Sequence, residues 1–425
     1  MNKTNLIFKE VLEKVEPPKE TIKFIEDSLS NFLKEINKKI NSLKINAEIF
    51  VGGSFAKKTV IKKDAYDVDI FIRFDKKYKD ENLSELAKKL LNGVKNISTI
   101  HGSRDYYKIQ ISPDFFLEVI PVLKVKNPKE SENITDLSYS HVKYINKKVK
   151  TKNILDDIKL AKAFCHANKC YGAESYIGGF SGYSLELLVY HYKGFLKFLK
   201  AIVKSKDKLI IDIEKYYRNK NIILMDLNSA KLQSPIILID PTCKQRNAAA
   251  AISEETFAKF KDISEKFLKN PSIKFFEMQK TDLEKIKLNA KKNKFEFVLL
   301  ECKTDKQEGD VAGSKLLKFY KHLILEIEKY FDVKEKGFNY NHKQSARFFF
   351  VVKSKKEMLF SGPFIKDKSN VKKFKSEHKK TFLKSKKLFA KEKIDFDLKK
   401  FISKMKLKDK RKIKEMYIEG LEVLD

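Results

Sequence analysis

The sequence has no tryptophan, and only six of its 90 basic residues are arginine. It contains no run of 18 apolar residues, which argues against a membrane-spanning helix, and its first 20 residues are too charged for a signal peptide. The four cysteines have neither zinc-ligand nor disulfide-framework spacing: Cys165, Cys170, Cys243 and Cys302. These absences predict a cytoplasmic protein with reduced thiols and no membrane partner.

Charge is abundant and unbalanced. The 425 residues include 90 Lys and Arg against 57 Asp and Glu, a formal net charge of +33, and 42% are hydrophobic. Such a chain can form about two to four domains with buried cores. The excess positive charge predicts a polyanionic partner, RNA or DNA ahead of a membrane. Because lysine cannot imitate the planar fork of a guanidinium group, each of the few arginines is more informative about function than a lysine is.

Two aspartates lie one residue apart in a predicted strand. The stretch Val51–Phe74 reads VGGSFAKKTVIKKDAYDVDIFIRF, and its second half alternates apolar and other residues as a half-buried strand does. Asp67 and Asp69 therefore point the same way, about 6.5–7 Å apart along the strand. A solvated sheet face is the simple explanation for a single Asp-x-Asp pair.

The residues that precede this strand instead favour a catalytic or ligand-binding role for the two aspartates. Gly52 and Gly53 allow close backbone approach, and Ser54 is a suitable N-cap for a helix predicted over Phe55–Val60. Free amides at a helix start, with Lys57 nearby, can bind phosphate. Phosphate contacts followed by paired carboxylates are expected where divalent metal meets a nucleoside triphosphate.

A third carboxylate is available on a later predicted strand. Asp105–Ser112 and Phe115–Val125 are predicted strands joined by a tight turn, and Glu118 stands alone among apolar residues of the second. If buried, it needs a cation, a metal or water; otherwise it is an exposed edge acid. Pro121 suggests that this strand ends or lies at a sheet edge there.

The remaining segments alternate between helical and strand patterns. Helices are predicted over Pro18–Leu43, from Asn153 to near Tyr171, from Ser181 or Ser184 with helical character to about Tyr217, over Glu254–Leu268 and over Leu316–Phe331; strands are predicted at Pro235–Asp240, Phe295–Cys302 and Arg347–Lys353. Asn270-Pro271 is a plausible domain boundary. Beyond it, the mixture of strands and helices predicts an α+β unit.

A lysine-rich tail follows. Residues 371–411 hold 17 Lys and Arg against 5 Asp and Glu, a net of +12, with Phe374, Phe382 and Phe389 interspersed. Lysines can pair with phosphates and aromatic rings can stack on bases, although buried helix faces would give the same aromatic spacing.

Three further stretches resemble a known family. Gly53-Ser54, twelve residues and then Asp67-Val68-Asp69 resemble the metal-binding motif of polymerase-β-type nucleotidyltransferases. Together with this motif, three further stretches resemble the archaeal, class I CCA-adding enzymes, in the same order over nearly the whole chain. They are Ala161–Leu188 (AKAFCHANKCYGAESYIGGFSGYSLELL), Asp240–Ser253 (DPTCKQRNAAAAIS) and Gly362–Phe374 (GPFIKDKSNVKKF).

The resemblance implies an α+β fold with three parts. These are a polymerase-β-like nucleotidyltransferase palm domain over residues 1–150, a helical central nucleotide-binding domain over 151–270, and an α+β C-terminal domain over 271–425 with the basic tail that binds tRNA. It also implies roles for eleven residues: Asp67, Asp69 and Glu118 as catalytic, metal-holding carboxylates, and Gly53, Ser54, Lys57, Ser138, His141, Lys162, Tyr171 and Arg246 as nucleotide-binding residues.

The pattern departs from the family in several places. Relatives commonly have Glu-x-Asp and a third Asp where this chain has Asp67, Asp69 and Glu118, and often arginine at Lys57 and asparagine at Ala251. The number of carboxylates is preserved, so metal binding is still expected.

Without the resemblance, several of these residues have simpler explanations. Lys162 suits a solvated helix face, His141 a polar surface loop, and Tyr171 a helix cap. Arg246 differs, since a scarce guanidinium next to a run of alanines suits bidentate contact with a base edge.

The predicted function is template-independent addition of C, C and A to the 3′ end of tRNA. CTP and ATP are the expected substrates and two Mg²⁺ ions the expected cofactors, with Mn²⁺ as a substitute. The alternatives are a poly(A)-type polymerase acting on RNA 3′ ends and a catalytically silent RNA-binding protein on the same fold. A homodimer is left open.

Overall fold

The computed structural model describes residues 3–79, 81–102, 104–125, 127–279, 281–378 and 380–424. The chain forms two compact units, residues 1–279 and 280–425. All four cysteines are free, and three of them are buried. None of the helices in the described ranges combines the length and apolar character that crossing a bilayer requires. The predicted divisions after residues 150 and 270 stay predictions.

The first unit begins with two helices, which are followed by a five-stranded sheet and its connecting helices. The elements are α1 (Lys3–Val15), α2 (Lys19–Ser42), β1 (Ala47–Val51), the single turn α3 (Gly53–Ala56), β2 (Tyr66–Phe74), α4 (Leu83–Leu90), β3 (Ile97–Ile100), β4 (Tyr106–Ser112) and β5 (Phe115–Leu123). The strand order is β1-β2-β5-β4-β3. The buried residues of α2 fall on one helical stripe and pack into the core of this sheet: Ile25, Leu29, Phe32, Ile36 and Ile40.

The two central strands, β2 and β5, run parallel. Their register places Asp67 opposite Phe116 and Asp69 opposite Glu118. The alternate residues of β2 are buried in the sheet's core: Val68, Ile70, Ile72 and Phe74. The prediction that the two aspartates share the face opposite this core is therefore confirmed. The strand is half-buried only at its start, however, because Phe71 and Arg73 on the aspartate face are also buried.

The helix prediction next to Gly53 is wrong in its bounds and its cap. The helical turn covers Gly53–Ala56, its N-cap is Gly52, and Ser54 lies inside it. The Gly52 N–H donates to the Asp69 carbonyl (2.8 Å), which ties the chain to β2 before Ser54 is reached. Lys58, with φ of +56°, closes the turn.

Pro121 does not end its strand. It lies inside β5, paired with Ile72 on the β2 side, whereas the pairing with β4 runs only as far as Tyr107 and Val119. The Pro121 carbonyl accepts a hydrogen bond from Arg104 (3.2 Å). A strand residue directs its N–H and C=O to the same side, so the missing N–H faces the side where β4 no longer pairs.

The rest of the first unit is mainly helical. Its elements are α5 (Ser138–Lys148), α6 (Lys152–Ala167), α7 (Gly182–His191), α8 (Phe195–Lys204), β6 (Leu209–Asp212), α9 (Lys220–Asp226), β7 (Ile236–Asp240), β8 (Cys243–Asn247) and α10 (Glu254–Lys269). Ser181 caps α7, as predicted, by accepting from the Ser184 N–H. The expected helical character up to Tyr217 is wrong, because Leu209–Asp212 pairs in parallel with β7.

The second unit combines two sheets with helices. Its elements are α11 (Leu283–Lys292), β9 (Glu296–Lys303), α12 (Asp310–Tyr330), β10 (Phe331–Tyr340), β11 (Ser345–Ser354), β12 (Glu357–Phe364), α13 (Lys368–Glu377), β13 (Thr381–Lys384), β14 (Lys387–Lys393), α14 (Leu398–Lys408), α15 (Lys410–Glu415) and β15 (Gly420–Leu424). The sheets have the orders β10-β11-β9-β15 and β12-β14-β13. This arrangement confirms the predicted α+β character.

The basic tail is folded rather than extended. Phe374 lies on α13 beside His378, with ring centroids 4.3 Å apart, while Phe382 and Phe389 stack on each other across β13 and β14 at 5.8 Å. A shared buried helix face therefore does not explain the aromatic spacing. Of the tail lysines, Lys379 lies outside the described residues.

Candidate functional site

Asp67, Asp69 and Glu118 lie on one face of the central strand pair. Asp69 and Glu118 are register neighbours, and Asp67 is two residues along β2 on the same face. Gly53 makes room for them: a Cβ atom there would lie 1.8 Å from Asp69 Oδ2, and its φ is +61°. A glycine is therefore needed at this position for close approach as well as for backbone conformation.

Burial and mutual repulsion make these carboxylates costly to ionise. Burial, with the charge of Asp67, raises the pKa of Asp69 to about 6. Burial, with the charges of Asp69 and Asp67, raises the pKa of Glu118 to about 7. Burial and the same three acids raise the pKa of Tyr106 to about 12. The cluster thus carries negative charge that nearby cations do not fully balance.

Lysines stand beside the two outer carboxylates. Lys63 Nζ lies 3.3 Å from Asp67 Oδ1, and Lys108 Nζ lies 3.8 Å from Glu118 Oε1. Within the described ranges, no three His, Cys, Asp or Glu side chains are already grouped as they would be around a metal ion. Joint coordination by the three acids therefore requires side-chain adjustment from these positions.

Lys57 and Lys162 meet at a carboxylate that the sequence analysis did not single out. Lys57 Nζ lies 2.6 Å from Glu186 Oε2, and Lys162 Nζ lies 3.0 Å from Glu186 Oε1. The Glu186 side chain is fully buried, and those of Lys57 and Lys162 are 8% and 3% exposed. Burial alone would raise the pKa of Glu186, but the two lysines together hold it below its ordinary value.

Thr59 completes this buried group. Its hydroxyl donates to Glu186 Oε1 (2.9 Å), and Lys162 donates to both the Thr59 hydroxyl (2.7 Å) and the Thr59 carbonyl (3.2 Å). An ammonium group has three N–H bonds, so Lys162 has an acceptor in Thr59 or Glu186 for each of them. The simpler alternative, a solvated lysine on a helix face, is therefore excluded for Lys162.

A second buried carboxylate, Asp240 at the end of β7, gathers His141, Tyr183 and Arg246. His141 Nε2 lies 3.1 Å from Asp240 Oδ2, the Tyr183 hydroxyl donates to Oδ1 (3.0 Å), and Arg246 Nη1 donates to Oδ2 (2.6 Å). Burial would raise the pKa of Asp240, but His141 and Arg246 lower it further than burial raises it. Thr242 adds a hydroxyl hydrogen bond of 2.8 Å to Oδ1.

Arg246 keeps donors that Asp240 does not use. Its side chain is 21% exposed, and its buried Nε has no hydrogen-bond partner among the described residues. The guanidinium lies 5.9 Å from the centroid of the Tyr183 ring. Asp240 therefore anchors one arm of the fork, and the other donors stay available.

Two tyrosines of the site are stacked on histidines. Tyr171 stacks on His166 with ring centroids 3.9 Å apart, and Tyr183 stacks on His141 at 4.1 Å. Burial, with Lys63 and Lys162, lowers the pKa of His166 to about 4, so its ring is neutral at neutral pH. Burial also lowers the pKa of His141.

Most of the predicted site residues come together. Lys57 influences the pKa of both Asp69 and His141, and Asp67 influences that of Tyr171. A Cβ atom on Gly182 would lie 2.9 Å from the Tyr171 hydroxyl and 3.9 Å from Lys162 Nζ. Ser54 lies inside α3, and Ser138 begins α5 half-buried.

Sequence reasoning missed Glu186 and Asp240. Glu186 is the one charged residue in the helical stretch GYSLELLVY, and Asp240 ends the apolar strand PIILID. A lone acid among apolar residues was the signal used for Glu118, and it applies equally to these two positions.

Two sequence-family models match the first unit. Residues 1–154 match the Second Messenger Oligonucleotide or Dinucleotide Synthetase domain, and residues 156–277 match the second domain of tRNA nucleotidyltransferase. A solved structure of the Cid1 poly(U) polymerase has the same fold over 65% of this chain and 98% of its own, with a TM-score of 0.50 and 13% identity.

Curated relatives extend the match. The chain is 37% identical over 284 residues to a CCA-adding enzyme of Nanoarchaeum equitans, covering 66% of this chain and 67% of that one. It is 28% identical over 400 residues to a CCA-adding enzyme of Methanocaldococcus jannaschii, covering 90% and 86%. The predicted α+β nucleotidyltransferase fold and the predicted family are both confirmed, and the chain belongs to the archaeal-type CCA-adding enzymes, a family of tRNA nucleotidyltransferases.

Proposed function

We propose that this enzyme adds C, C and A to the 3′ end of tRNA through the three clusters described above, which lie around the carboxylates of β2 and β5, around Glu186 and around Asp240. The carboxylates on β2 and β5 hold divalent metal, the group of residues around Lys57 holds the triphosphate, and the group around Asp240 holds the base. The observation that carries the proposal is the position of Lys57, whose charge acts on Asp69 and whose Nζ lies 6.0 Å from the centroid of the Tyr183 ring, with the Arg246 guanidinium 5.9 Å from the same centroid.

The donor set fits divalent metal. Carboxylate oxygens are the ligands that Mg²⁺ and Mn²⁺ prefer, and the raised pKa values of Asp69 and Glu118 reveal negative charge in need of a cation. We propose two ions held by Asp67, Asp69 and Glu118. When bound, they would activate the terminal hydroxyl of tRNA and neutralise charge on the triphosphate.

The protein's own contribution to phosphate binding comes from Lys57 and the turn before it. Lys57 has a hydrogen bond to Glu186 and two further N–H bonds that can reach phosphate oxygens. The Gly53-Ser54 turn offers backbone N–H groups beside Asp69. All three N–H bonds of Lys162 have protein acceptors, so this lysine would attract the triphosphate through its charge.

The sugar and the base contact the helical part. Tyr171, stacked on His166, would support the sugar, with Ser138 and His141 near the ribose and phosphates. Arg246 would read the base with the donors that Asp240 leaves available. Since Asp240 fixes one arm, the rest of the guanidinium is held in a defined plane.

The body of tRNA would bind through lysines of the second unit. The solvent-exposed residues of this region include Lys372, Lys373, Lys384 and Lys386. Their charge can pair with RNA phosphates without reading sequence. Cytoplasmic location and a homodimer stay predictions.

The first test supplies tRNA that lacks its terminus with CTP, ATP or both. We expect CC from CTP alone and CCA from the pair, whereas a poly(A)-type enzyme would add A repeatedly and a silent binder nothing.

Asp69→Asn should abolish addition and leave tRNA binding nearly unchanged, because it removes a metal ligand and not a phosphate contact. Asp75→Asn, immediately after the same strand, is the matched control. Near wild-type turnover of Asp69→Asn at saturating Mg²⁺ would refute the metal assignment.

The second prediction concerns charge crowding. An acid whose pKa is raised in the folded protein stabilises the fold at pH values below its ordinary pKa. This contribution to stability is lost as the pH rises through the raised pKa. Without divalent metal, Glu118→Gln should therefore stabilise the protein at pH 8 by on the order of 1–2 kcal/mol, and have little effect near pH 4. Urea unfolding at both pH values measures this. If Glu118→Gln unfolds more easily at pH 8, the repulsion is not the dominant interaction.

The third prediction concerns base selection. Arg246→Lys keeps the charge and loses the fork, so kcat/KM for the correct nucleotide should fall by about ten- to a hundredfold, with weaker discrimination against UTP and GTP. Single-nucleotide incorporation on tRNA lacking CCA, and on tRNA lacking only the last A, measures both steps. The exposed Arg218 provides the control Arg218→Lys. Full selectivity in Arg246→Lys would assign base reading to another residue.

The fourth prediction concerns the tail. Reversing Lys384 and Lys386 to Glu should weaken tRNA binding and lower the salt dependence of the affinity by about one ion or more. Reversing Lys34 and Lys38, exposed on α2, changes the net charge equally and serves as the control. Equal weakening by both pairs would show a general charge effect and no specific contribution from the tail.

A further inference from the structure

Glu186 joins side chains from three separate elements. Lys57 follows α3, Lys162 belongs to α6 and Glu186 itself to α7. The distances to the two ammonium groups are 2.6 Å and 3.0 Å, each to a different carboxylate oxygen. One buried negative charge thus faces two buried positive charges, and the group keeps an excess of one positive charge.

We propose that Glu186 is a positioning residue that holds Lys57 and Lys162 together as one anion-binding unit for the triphosphate. The inference deepens the function proposed above and rests on its assignment of the two lysines to phosphate. Without Glu186, two ammonium groups would repel each other in a site that little water reaches. With it, they are held side by side, and the surplus charge is directed to an incoming anion.

The hydrogen-bond pattern indicates different roles for the two lysines. Lys162 has acceptors for all three N–H bonds, whereas Lys57 has Glu186 as its hydrogen-bond acceptor. Lys57 can therefore contact phosphate without losing its anchor. Lys162 contributes charge from a fixed position, and Thr59 ties it to the chain beside Lys57.

The protonation of Lys162 provides a readout that a purely structural role would not change. Burial lowers the pKa of Lys162 to about 8, against the opposing effect of Glu186. The charged and titratable groups around it are Glu186 on α7, Lys57 after α3, Lys63 before β2, His166 on α6 and Tyr171 after α6. An anion favours the protonated lysine, so triphosphate affinity should fall as pH rises above about 8.

Equilibrium binding of CTP in Mg²⁺, measured on the full chain between pH 7 and 9.5, tests the proposal. Glu186→Gln removes the charge that keeps Lys162 protonated. Its affinity for CTP should fall about tenfold at pH 8, and the pH at which affinity declines should move down by about one unit or more. Lowering the pH should restore part of the loss. Asp157→Asn removes another half-buried carboxylate of the same unit and should leave the profile unchanged.

Equal loss at every pH, or no loss, would overturn the role of Glu186. Lys57→Met and Lys162→Met distinguish this failure from failure of the proposed function: if both bind CTP normally, the lysines do not hold phosphate at all. Glu186→Asp covers the case in which Glu186→Gln does not fold. It keeps the charge on a shorter side chain, so we expect weaker CTP binding with the decline at the wild-type pH. Wild-type affinity in Glu186→Asp would also contradict the proposal.

Discussion

Parallel pairing of β2 with β5 sets the position of everything else in the site. The register places Asp69 opposite Glu118, and side chains alternate between faces along both strands. A slip of one residue would move Glu118 to the core face and separate the acids. The apolar residues of β5 resist such a slip, since Phe115, Leu117 and Val119 would leave the core of the sheet.

Buried acids connect segments of the first unit that are far apart in the sequence. Glu186 reaches the segment after α3, and Asp240 reaches α5 through His141. Both carboxylates are fully buried; Glu186 is balanced by Lys57 and Lys162, and Asp240 by Arg246 of β8. Such pairs add little net stability but are costly to break on one side, so they hold the two halves of the site in one arrangement.

The sequence predicted local strand patterns better than it predicted contacts between residues far apart in the chain. Asp67 and Asp69 were placed on one face from their spacing alone, and the strand found begins one residue earlier. The acid that binds Lys57 lies 129 residues away in the chain, and no local pattern reports such a contact. Ser54 was wrongly predicted to cap a helix, because the Gly52 N–H is bound to the Asp69 carbonyl and the helical turn begins before Ser54. The prediction for Pro121 was wrong about the end of the strand, although β5 is unpaired on its β4 side there.

The first helix of the chain packs away from its neighbours in sequence. Phe8 on α1 contacts Phe195 and Phe267, with ring centroids 5.8 and 6.1 Å apart, and Phe276 at 6.2 Å. The N-terminal segment therefore completes the aromatic core of the helical region, although the sheet comes next along the chain. Exchange of the sheet region between relatives would need to leave α1 with its helical partners, because a hybrid with a foreign α1 would carry a mismatched core.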